Sequence, residues 1–389
     1  MSRPVAVATA PAPSGPRAQR IAGWGAFCQL YVLALAGLAV AAASRFRNFL
    51  DQKFTLDAVW IQNTLTIPDA GLDPADPFRN TALVYRFLGL ATRPDVAAMA
   101  AITVFGVAVL AALRWGELPR LTPVGLAAIS VSYVLALIYL AQYSKEFVSL
   151  VLVALVLILP RGLLAESFLV GAMVAYAITI RPYWGIVVVL YVLGRILLPR
   201  VRGLLPIALA VLAIYGALQL IFNNFLGEAL SFSRVAVNSL RADINISVGS
   251  LIVDFLPDQV ALQWLNAFLV FVSLLVPWPL LLGGSAVYLV MGVVLVSLWA
   301  LVGRSIVRLQ RERRGDVRGR FATLAERAPR PQRAVALLLA LVVVQAIFEP
   351  DYGSYLKHVV PALPLFLALL PLRREPATPQ TTHAKGIPA

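Results

Sequence analysis

The chain has 389 residues, of which 60% are hydrophobic and 13% charged, and its mean hydropathy is +0.82. This composition excludes a soluble globular protein and indicates a polytopic membrane protein with helical spans. The formal net charge is +14, but the basic residues lie mostly between or beside the apolar runs, as orientation signals do, so we expect no nucleic-acid partner.

Cysteine and histidine are scarce. Cys28 is the single cysteine and lies in the first apolar stretch, while His358 and His383 are the only histidines. A disulfide framework is therefore excluded, and we expect neither a metal nor a cofactor.

The apolar runs predict the order of the spans. Residues 1–23, rich in Pro and Ala, are expected to form a flexible cytoplasmic leader. Ten spans are predicted, at residues 24–43, 96–113, 121–142, 146–160, 163–180, 183–198, 204–222, 285–303, 334–348 and 359–372. The fold class is therefore all-α, a polytopic membrane bundle.

The apolar segment 265–282, LNAFLVFVSLLVPWPLLL, is the exception. Pro277 and Pro279 interrupt it, and we expect it to be re-entrant or interfacial. With that choice both termini, the basic loop near 304–333 and the tail 373–389 are cytoplasmic, together with 22 of the 33 Lys and Arg residues. The remaining cations fall on the outer face and need an explanation there.

The first outer loop, near 44–95, mixes charged and aromatic residues and includes Arg45, Arg47 and Asp57. Loops of this length are often functional. The alternation of charge and aromatic character predicts short interfacial helices, and serving only as interfacial anchors is the alternative role for these side chains.

The third and fourth spans are joined by only QYSKE, so Lys145 and Glu146 must lie at the membrane surface or just within it. An ionisable residue there is costly unless it is paired or functional. A mutual pair is one interpretation, but sequence neighbours on a helix do not face each other, which favours other partners.

The segment TIRPYWG separates the fifth and sixth spans. Arg181 is followed by the helix breaker Pro182, and its planar fork of donors suits a phosphate, with Tyr183 beside it. The alternative is an interfacial anchor with aromatic belt residues.

A second outer segment, near 223–264, carries Arg234, Asn238 and Arg241 at near-helical spacing. These residues are expected to share one helix face and to present two guanidinium groups and an amide to one ligand. A solvated amphipathic helix is the alternative.

The last outer segment, FEPDYGSYLKHVVP, is a dense polar cluster. It contains Asp351, Tyr352, Lys357 and His358, with Gly353 allowing a sharp turn. A carboxylate and an imidazole at a membrane surface can take a proton from a sugar hydroxyl. A short polar turn with a snorkelling lysine is the alternative.

Together these segments suit a lipid-borne, activated anionic substrate. The chain has no Walker loop and no dinucleotide fingerprint, so the energy must come from the substrate or from a gradient. A polyprenyl phosphate or diphosphate fits: Arg181, Arg234 and Arg241 are candidates for the phosphate clamp, and the aromatic residues can stack on sugar rings. The candidate bases toward an acceptor hydroxyl are Asp57, Glu146, Asp351 and His358.

The order of these motifs resembles Wzy-type polysaccharide polymerases of bacterial capsule, exopolysaccharide and O-antigen pathways. The resemblance runs from about Arg45 to His358 and lies in the large first loop, the Y-S-K-E and I-R-P-Y junctions, the N-S-L-R loop and the E-P-D-Y-G-S-Y-L-K-H segment.

The resemblance implies a GT-C-like bundle in the bacterial inner membrane that joins polyprenyl-diphosphate-linked oligosaccharide on the periplasmic face. Arg181 and Arg241 are the positions that match the family's substrate-handling arginines. A chain-length regulator or other polysaccharide-export proteins are possible partners, beside the bilayer itself.

Two other functions remain open at this point. A GT-C glycosyltransferase with a polyprenyl-phosphate monosaccharide donor is favoured by Asp51 and Asp57, just after the first span. A glycolipid or small-solute transporter is disfavoured, because the charges gather at one surface and no internal repeat is visible.

Overall fold

The chain folds almost entirely into α-helices. The computed structural model describes residues 16–67, 71–73, 76–243, 250–257, 259–316 and 329–373, and its described part contains no strand beyond one isolated bridge between Leu251 and Asp351. In chain order the helices are α1 (Pro16–Phe46), α2 (Gln52–Leu65), α3 (Pro77–Phe87), α4 (Pro94–Leu113), α5 (Pro123–Leu140), α6 (Glu146–Ile158), α7 (Leu163–Thr179), α8 (Trp184–Leu197), α9 (Leu205–Ile221), α10 (Phe232–Asp243), α11 (Gln263–Leu275), α12 (Trp278–Leu282), α13 (Ala286–Asp316), α14 (Pro329–Phe348), α15 (Tyr352–Val359) and α16 (Leu363–Leu367).

Several of these helices are long and apolar enough to cross a membrane, but fewer than the ten spans predicted from the sequence, and the predicted span 359–372 contains only the five-residue helix α16. By length and composition there are six such stretches in the described part of the chain: Gly23–Phe49, Pro94–Leu113, Pro123–Leu140, Leu205–Leu226, Ala286–Arg311 and Arg330–Phe348. Four shorter apolar helices accompany them, at Glu146–Ile158, Leu163–Thr179, Trp184–Leu197 and Val260–Leu275. The chain is a multi-pass helical membrane protein.

The helices run between two ends of the bundle. We call the end where α4, α6 and α8 begin the upper end, and the end where they finish the lower end. Trp24 Nε1 donates to Leu121 O at 3.0 Å and Arg373 N to Arg120 O at 2.8 Å, so the start of α1 and residue 373 both lie at the lower end. The connections α1–α4, α5–α6, α7–α8 and α14–α15 consequently lie together at the upper end.

The segment 265–282 does not add a crossing of its own. Gln263, at the start of α11, accepts from Gln219 Nε2 and from Leu230 N, both at 3.2 Å, which places it at the upper end. Gln310, near the end of α13, accepts from Gly203 N at 2.9 Å, at the lower end. Residues 263–310 therefore make one net passage, and the helix is broken between α11 and α12 at Pro277, where the sequence predicted a break.

Two helices, α1 and α13, extend beyond the boundaries predicted from the sequence. α1 begins at Pro16, inside the predicted leader 1–23, whose first 15 residues lie outside the described chain. α13 continues to Asp316, well past the predicted end at 303, because arginine, glutamine and leucine are good helix formers and no proline follows. The central part of the predicted basic loop (317–328) and nearly all of the tail lie outside the described residues.

Burial separates a central helix from a peripheral one. In the apolar stretch of α14, 78% of the residues are buried inside the protein, and this helix packs against α8 and α11. In α9 the corresponding share is 17%, so this helix lies at the edge of the bundle with most of its surface available to lipid. The end of α14, at Phe348, leads directly into the last predicted site segment.

Candidate functional site

The junction before α6 is fixed by a buried tyrosine. Tyr85 of α3 donates to Ser144 O at 3.2 Å and accepts from Ser144 N at 3.0 Å. Ser144 Oγ in turn donates to Glu146 Oε2 at 2.8 Å and accepts from Glu146 N at 3.1 Å. Glu146 is thereby held, 1% exposed, in the first turn of α6, where the helix dipole favours a negative charge.

Arg181 meets Glu146 at the upper end. α7 ends at Thr179 because Pro182 cannot continue the helix, and α8 restarts at Trp184 with a bond from Trp184 N to Arg181 O of 2.9 Å. The Arg181 Nη2 atom lies 2.5 Å from Glu146 Oε1, and Arg181 Nη1 donates to the Tyr183 hydroxyl. The partner of Glu146 is thus an arginine 35 residues away and not its neighbour Lys145.

His358 lies between two carboxylates. Its Nε2 is 3.1 Å from Glu146 Oε1, and its Nδ1 contacts Glu349 Oε1. Asp351 holds the supporting helix in place by capping α15: it accepts from Ser354 N and from Ser354 Oγ, both at 2.8 Å. The first turn of α15 needs Gly353, because a Cβ there would lie 2.9 Å from Asp351 Oδ1.

Asp57 of α2 faces two lysines. Its Oδ2 atom contacts Lys357 Nζ and lies 3.5 Å from Lys145 Nζ, and Lys145 also sits over the Phe78 ring, 3.7 Å from its centroid. The side chains of Asp57, Lys357 and Lys145 are 23%, 22% and 15% exposed, so solvent reaches all three of them. Asp57, Lys145, Glu146, Arg181, Glu349, Lys357 and His358 are called the upper ionic cluster below.

The charges of the cluster determine the protonation of its outer members. Burial raises the pKa of Asp57, but the ammonium groups of Lys357 and Lys145 more than offset this and hold it below its ordinary value. Burial lowers the pKa of Lys145, and the Asp57 carboxylate only partly opposes that shift. Burial would also lower the pKa of His358, but Glu349 and Glu146 outweigh it and raise this pKa above 6.5.

These shifts bear on the predicted bases. An aspartate held ionised by two cations is a good anionic partner and a weak base, and Asp351 uses both oxygens as a helix cap. Both ring nitrogens of His358 lie beside carboxylate oxygens, an arrangement that suits proton transfer better. The role of each of the four as a base stays a prediction.

The second outer segment contributes structure rather than open cations. Arg234, 1% exposed, donates from Nη1 to Ala346 O at 2.6 Å and from Nη2 to Asp254, and Asn238 Nδ2 donates to Ile252 O at 2.8 Å. Both known guanidinium contacts of Arg234 therefore lie within the protein. Arg241 is in α10, but its side chain lies outside the described part of the chain.

The remaining predicted residues lie apart from the upper ionic cluster. Arg45 is exposed at the end of α1, and Arg47 donates from both Nη atoms to Gln62 Oε1 at 3.4 Å. Tyr352 is buried, 1% exposed, at the start of α15. The segments they belong to are connections at the upper end, but their side chains do not join the cluster.

Two open spaces adjoin the cluster. A cavity of about 20 Å³, roughly one water in size, is lined by Arg181, Tyr183, Gln345 and His358. A larger groove of about 560 Å³ runs along α9, lined by apolar residues and, at its upper rim, by Gln219, Asn223 and Trp264. A row of rings runs from Phe222, the residue before Asn223 of the groove, to Tyr183 of the cavity: the centroids of Phe222 and Phe348 lie 6.4 Å apart and those of Phe348 and Tyr183 5.4 Å apart.

Residues that sequence reasoning left without a role complete the site. Glu349 is the second carboxylate on His358, and its Oε2 is buried with no hydrogen-bond partner. Tyr85 and Ser144 position Glu146. The sequence did place Glu349 in the last polar segment, but no local spacing signals that it pairs with a histidine nine residues later, since the contact depends on how α15 follows α14. The sharp turn expected at Gly353 is not found, because this residue lies in the first turn of α15.

A second ionic group at the lower end provides a comparison. Glu166 Oε1 lies 2.8 Å from both Arg195 Nη2 and Arg333 Nε, and Arg333 also donates to Leu159 O and Pro160 O at 2.7 and 2.9 Å. This arginine satisfies the last carbonyls of α6, a structural task. Burial of an ion pair therefore does not by itself mark a site, and neither does adjacent space, since a cavity of about 30 Å³ lies beside Arg195. The upper cluster differs in having two partly exposed lysines and a histidine.

In the described part of the chain, no group of three or more His, Cys, Asp or Glu side chains is arranged to hold a metal ion. What the cluster offers chemically is cations that can stabilise an anion and a histidine whose two ring nitrogens contact carboxylates. Comparison of the chain with protein-family models, with curated protein sequences and with solved structures gives no match.

Proposed function

We propose that the protein is a membrane glycosyltransferase of the polysaccharide-polymerase type, which joins saccharide units carried on a polyprenyl diphosphate. The observation that carries this proposal is the convergence of four connections, distant in sequence, on one cluster of two lysines, an arginine, a histidine and three carboxylates at one end of a helical membrane bundle. In this proposal the chain crosses a bacterial inner membrane ten times in a GT-C-like bundle, with the upper end periplasmic and both termini cytoplasmic.

The chemistry requires little beyond what the cluster contains. The bond between the anomeric carbon and the diphosphate oxygen breaks, the acceptor hydroxyl oxygen forms the new glycosidic bond, and its proton passes to a base. Lys145, Lys357 and Arg181 stabilise the charge that grows on the departing diphosphate. The His358–Glu349 pair takes the proton.

The clamp differs from the one expected from sequence. Arg234 was a candidate, but it is 1% exposed and its Nη contacts go to Ala346 O and Asp254, so the lysines replace it in the proposal. Arg181 is kept, although it contacts Glu146 and Tyr183, because it lines the cavity beside His358. Lysine is a common phosphate ligand, although it acts as a point charge rather than as a bidentate fork.

The groove along α9 supports a lipid-linked substrate. Its walls are mostly apolar side chains of a helix at the edge of the bundle, including Leu209, Leu212 and Leu220, and amide side chains lie at its upper rim. An isoprenoid chain lying there would have its diphosphate near the upper end, and the row of aromatic rings leads from that point to Tyr183.

Deletion of the gene in the native host tests the proposal. We expect loss of high-mass surface polysaccharide and accumulation of a polyprenyl-diphosphate-linked oligosaccharide, identified by mass spectrometry of lipid extracts. The wild-type gene should restore the polymer, and so should Arg304→Gln, which removes an exposed cation at the lower half of α13. The double variant Lys145→Gln/Lys357→Gln should not.

Two other lipid profiles would overturn the proposal. Accumulation of a polyprenyl-monophosphate monosaccharide would indicate a single-sugar transferase. Normal polymer length in the lysine double variant would remove the upper ionic cluster from the reaction.

A further inference from the structure

The carboxylate of Asp57 contacts Lys145 and Lys357, and this contact can do more than hold α2 in place. We propose that Lys145 and Lys357 form a phosphate-binding subsite, and that Asp57 competes with the phosphate for the same two ammonium groups. The ligand class, a phosphate or diphosphate group, rests on the proposed function, whereas the competition rests on the geometry of the three side chains.

The geometry is that of an anion held by two cations. Asp57 Oδ2 contacts Lys357 Nζ and lies 3.5 Å from Lys145 Nζ, so a single oxygen lies against both ammonium groups. The two lysines come from elements that follow Asp57 by 88 and 300 residues, the α5–α6 connection and α15. A phosphate oxygen can accept from the same two donors, and phosphate has more charge and more acceptor atoms than a carboxylate.

Charge balance favours an anion at this position. Without Asp57, the cluster holds Lys145, Lys357 and Arg181 against the carboxylates Glu146 and Glu349, with His358 adding a further positive charge when protonated. Arg181 and His358 both contact Glu146, deeper in the protein. Because Arg181 is paired with Glu146, the net positive charge lies at the two lysines, whose side chains are 15% and 22% exposed against 9% for Arg181.

Asp57 is available as a competing anion near neutral pH. Burial raises its pKa, but the two ammonium groups lower it further than burial raises it, so the carboxylate is ionised. A phosphate that displaces it must overcome an existing ion pair, so its observed affinity is lower than the lysine pair alone would give.

The placement of α2 makes such an exchange possible. Besides the Asp57 contacts, the bonds that join α2 to its neighbours include one from Gln142 Nε2 to Phe54 O of 2.9 Å and one from Arg86 Nη2 to Leu65 O of 3.1 Å, and Phe54 makes an edge contact with Tyr139. Val59 and Trp60 of α2 are exposed, 41% and 61% respectively. An amphipathic helix of this kind lies in the headgroup region of a bilayer, at the depth where the phosphate of a lipid carrier is found.

The test is a binding titration of the purified full-length protein in nanodiscs of zwitterionic lipid, with inorganic pyrophosphate as the probe. Asp57→Asn should bind pyrophosphate about tenfold more tightly than wild type, a moderate gain because solvent partly screens these groups. Asp57→Glu, which keeps the competing charge, should remain close to wild type. Lys145→Gln and Lys357→Gln should each weaken binding by about tenfold, and Arg304→Gln should have no effect.

Two further arms identify the source of the phosphate. Farnesyl diphosphate should bind more tightly than pyrophosphate if the subsite serves a lipid-linked ligand, and equal affinities would contradict that source. Replacing the nanodisc lipid by phosphatidylglycerol should leave pyrophosphate affinity unchanged; strong competition would instead assign the lysines to bulk anionic lipid and overturn the proposal.

Unchanged or weaker pyrophosphate binding in Asp57→Asn would overturn the competition. Should that variant fold poorly, the two lysine variants decide, since wild-type affinity in both would eliminate the subsite. No glycosyl transfer enters this titration. Pyrophosphate binding as expected, without chain extension, would therefore support the subsite and contradict the polymerase. Chain extension without pyrophosphate binding would contradict the subsite and support the polymerase.

Discussion

Replacing Arg181 by alanine tests how firmly the upper ionic cluster is built into the fold. Glu146 is 1% exposed and accepts from Arg181 Nη2 at 2.5 Å, from His358 Nε2 at 3.1 Å and from Ser144 Oγ at 2.8 Å. Removing one partner of a buried ion pair typically costs about 3 to 5 kcal/mol, because the remaining charge is left uncompensated. Since two other donors still reach Glu146, we expect the lower end of that range, about 3 kcal/mol.

The measurement is the free energy of unfolding in mixed micelles, followed by circular dichroism. Arg304→Ala, at an exposed position of α13, is the control and should change this free energy by less than about 0.5 kcal/mol. The double variant Arg181→Leu/Glu146→Leu should recover most of the loss, because apolar residues can replace a buried pair at little cost.

Two results would refute this reasoning. A loss below about 1 kcal/mol in Arg181→Ala would mean that Glu146 is solvated or protonated rather than held by the arginine. A double variant whose loss equals the sum of the two single losses would mean that the two residues act independently.

Three further perturbations follow from the contacts. Arg234→Ala should lower the free energy of unfolding by about 3 kcal/mol, because its aspartate partner stays behind, while pyrophosphate affinity in the nanodisc titration should not change. His358 has a raised pKa, so its contribution to stability should be complete below pH 6.5 and be lost as the pH rises through the folded-state value; His358→Gln should flatten the wild-type decline in melting temperature above pH 6.5. Asp351→Ala should cost about 1 kcal/mol in unfolding free energy through loss of the α15 cap, and a change near zero would contradict the capping role.

Sequence patterns predicted the positions of the connections better than the partners of their side chains. The short QYSKE link and the proline in TIRPYWG are local signals, because a helix must end where a proline or a polar break follows an apolar run. From these signals alone, Glu146 and Arg181 were expected at one end of the bundle, and the structure brings them into contact. The break at Pro277 was predictable for the same reason.

The pairing within the cluster could not be predicted, because it depends on helix packing rather than on spacing. Asp57 and Lys357 are 300 residues apart, and nothing near either residue indicates the other. For Arg234 the sequence suggested a role that the structure does not support. Its helical spacing with Arg241 predicted an open cationic face, but in the folded chain its guanidinium group donates to Ala346 O and to Asp254. A carbonyl acceptor leaves no trace in a residue pattern, since every residue has one.

The central claim is that the upper ionic cluster supports glycosidic bond formation on a lipid-borne diphosphate. Its most direct test uses the purified full chain in proteoliposomes, supplied with the polyprenyl-linked saccharide that accumulates in the deletion strain, and products are separated by mass. We expect products that grow by whole saccharide units with release of polyprenyl diphosphate, in wild type and in Arg304→Gln but not in Lys145→Gln/Lys357→Gln. A wild-type protein that leaves the saccharide at its original length, while moving it between the leaflets, would contradict the account.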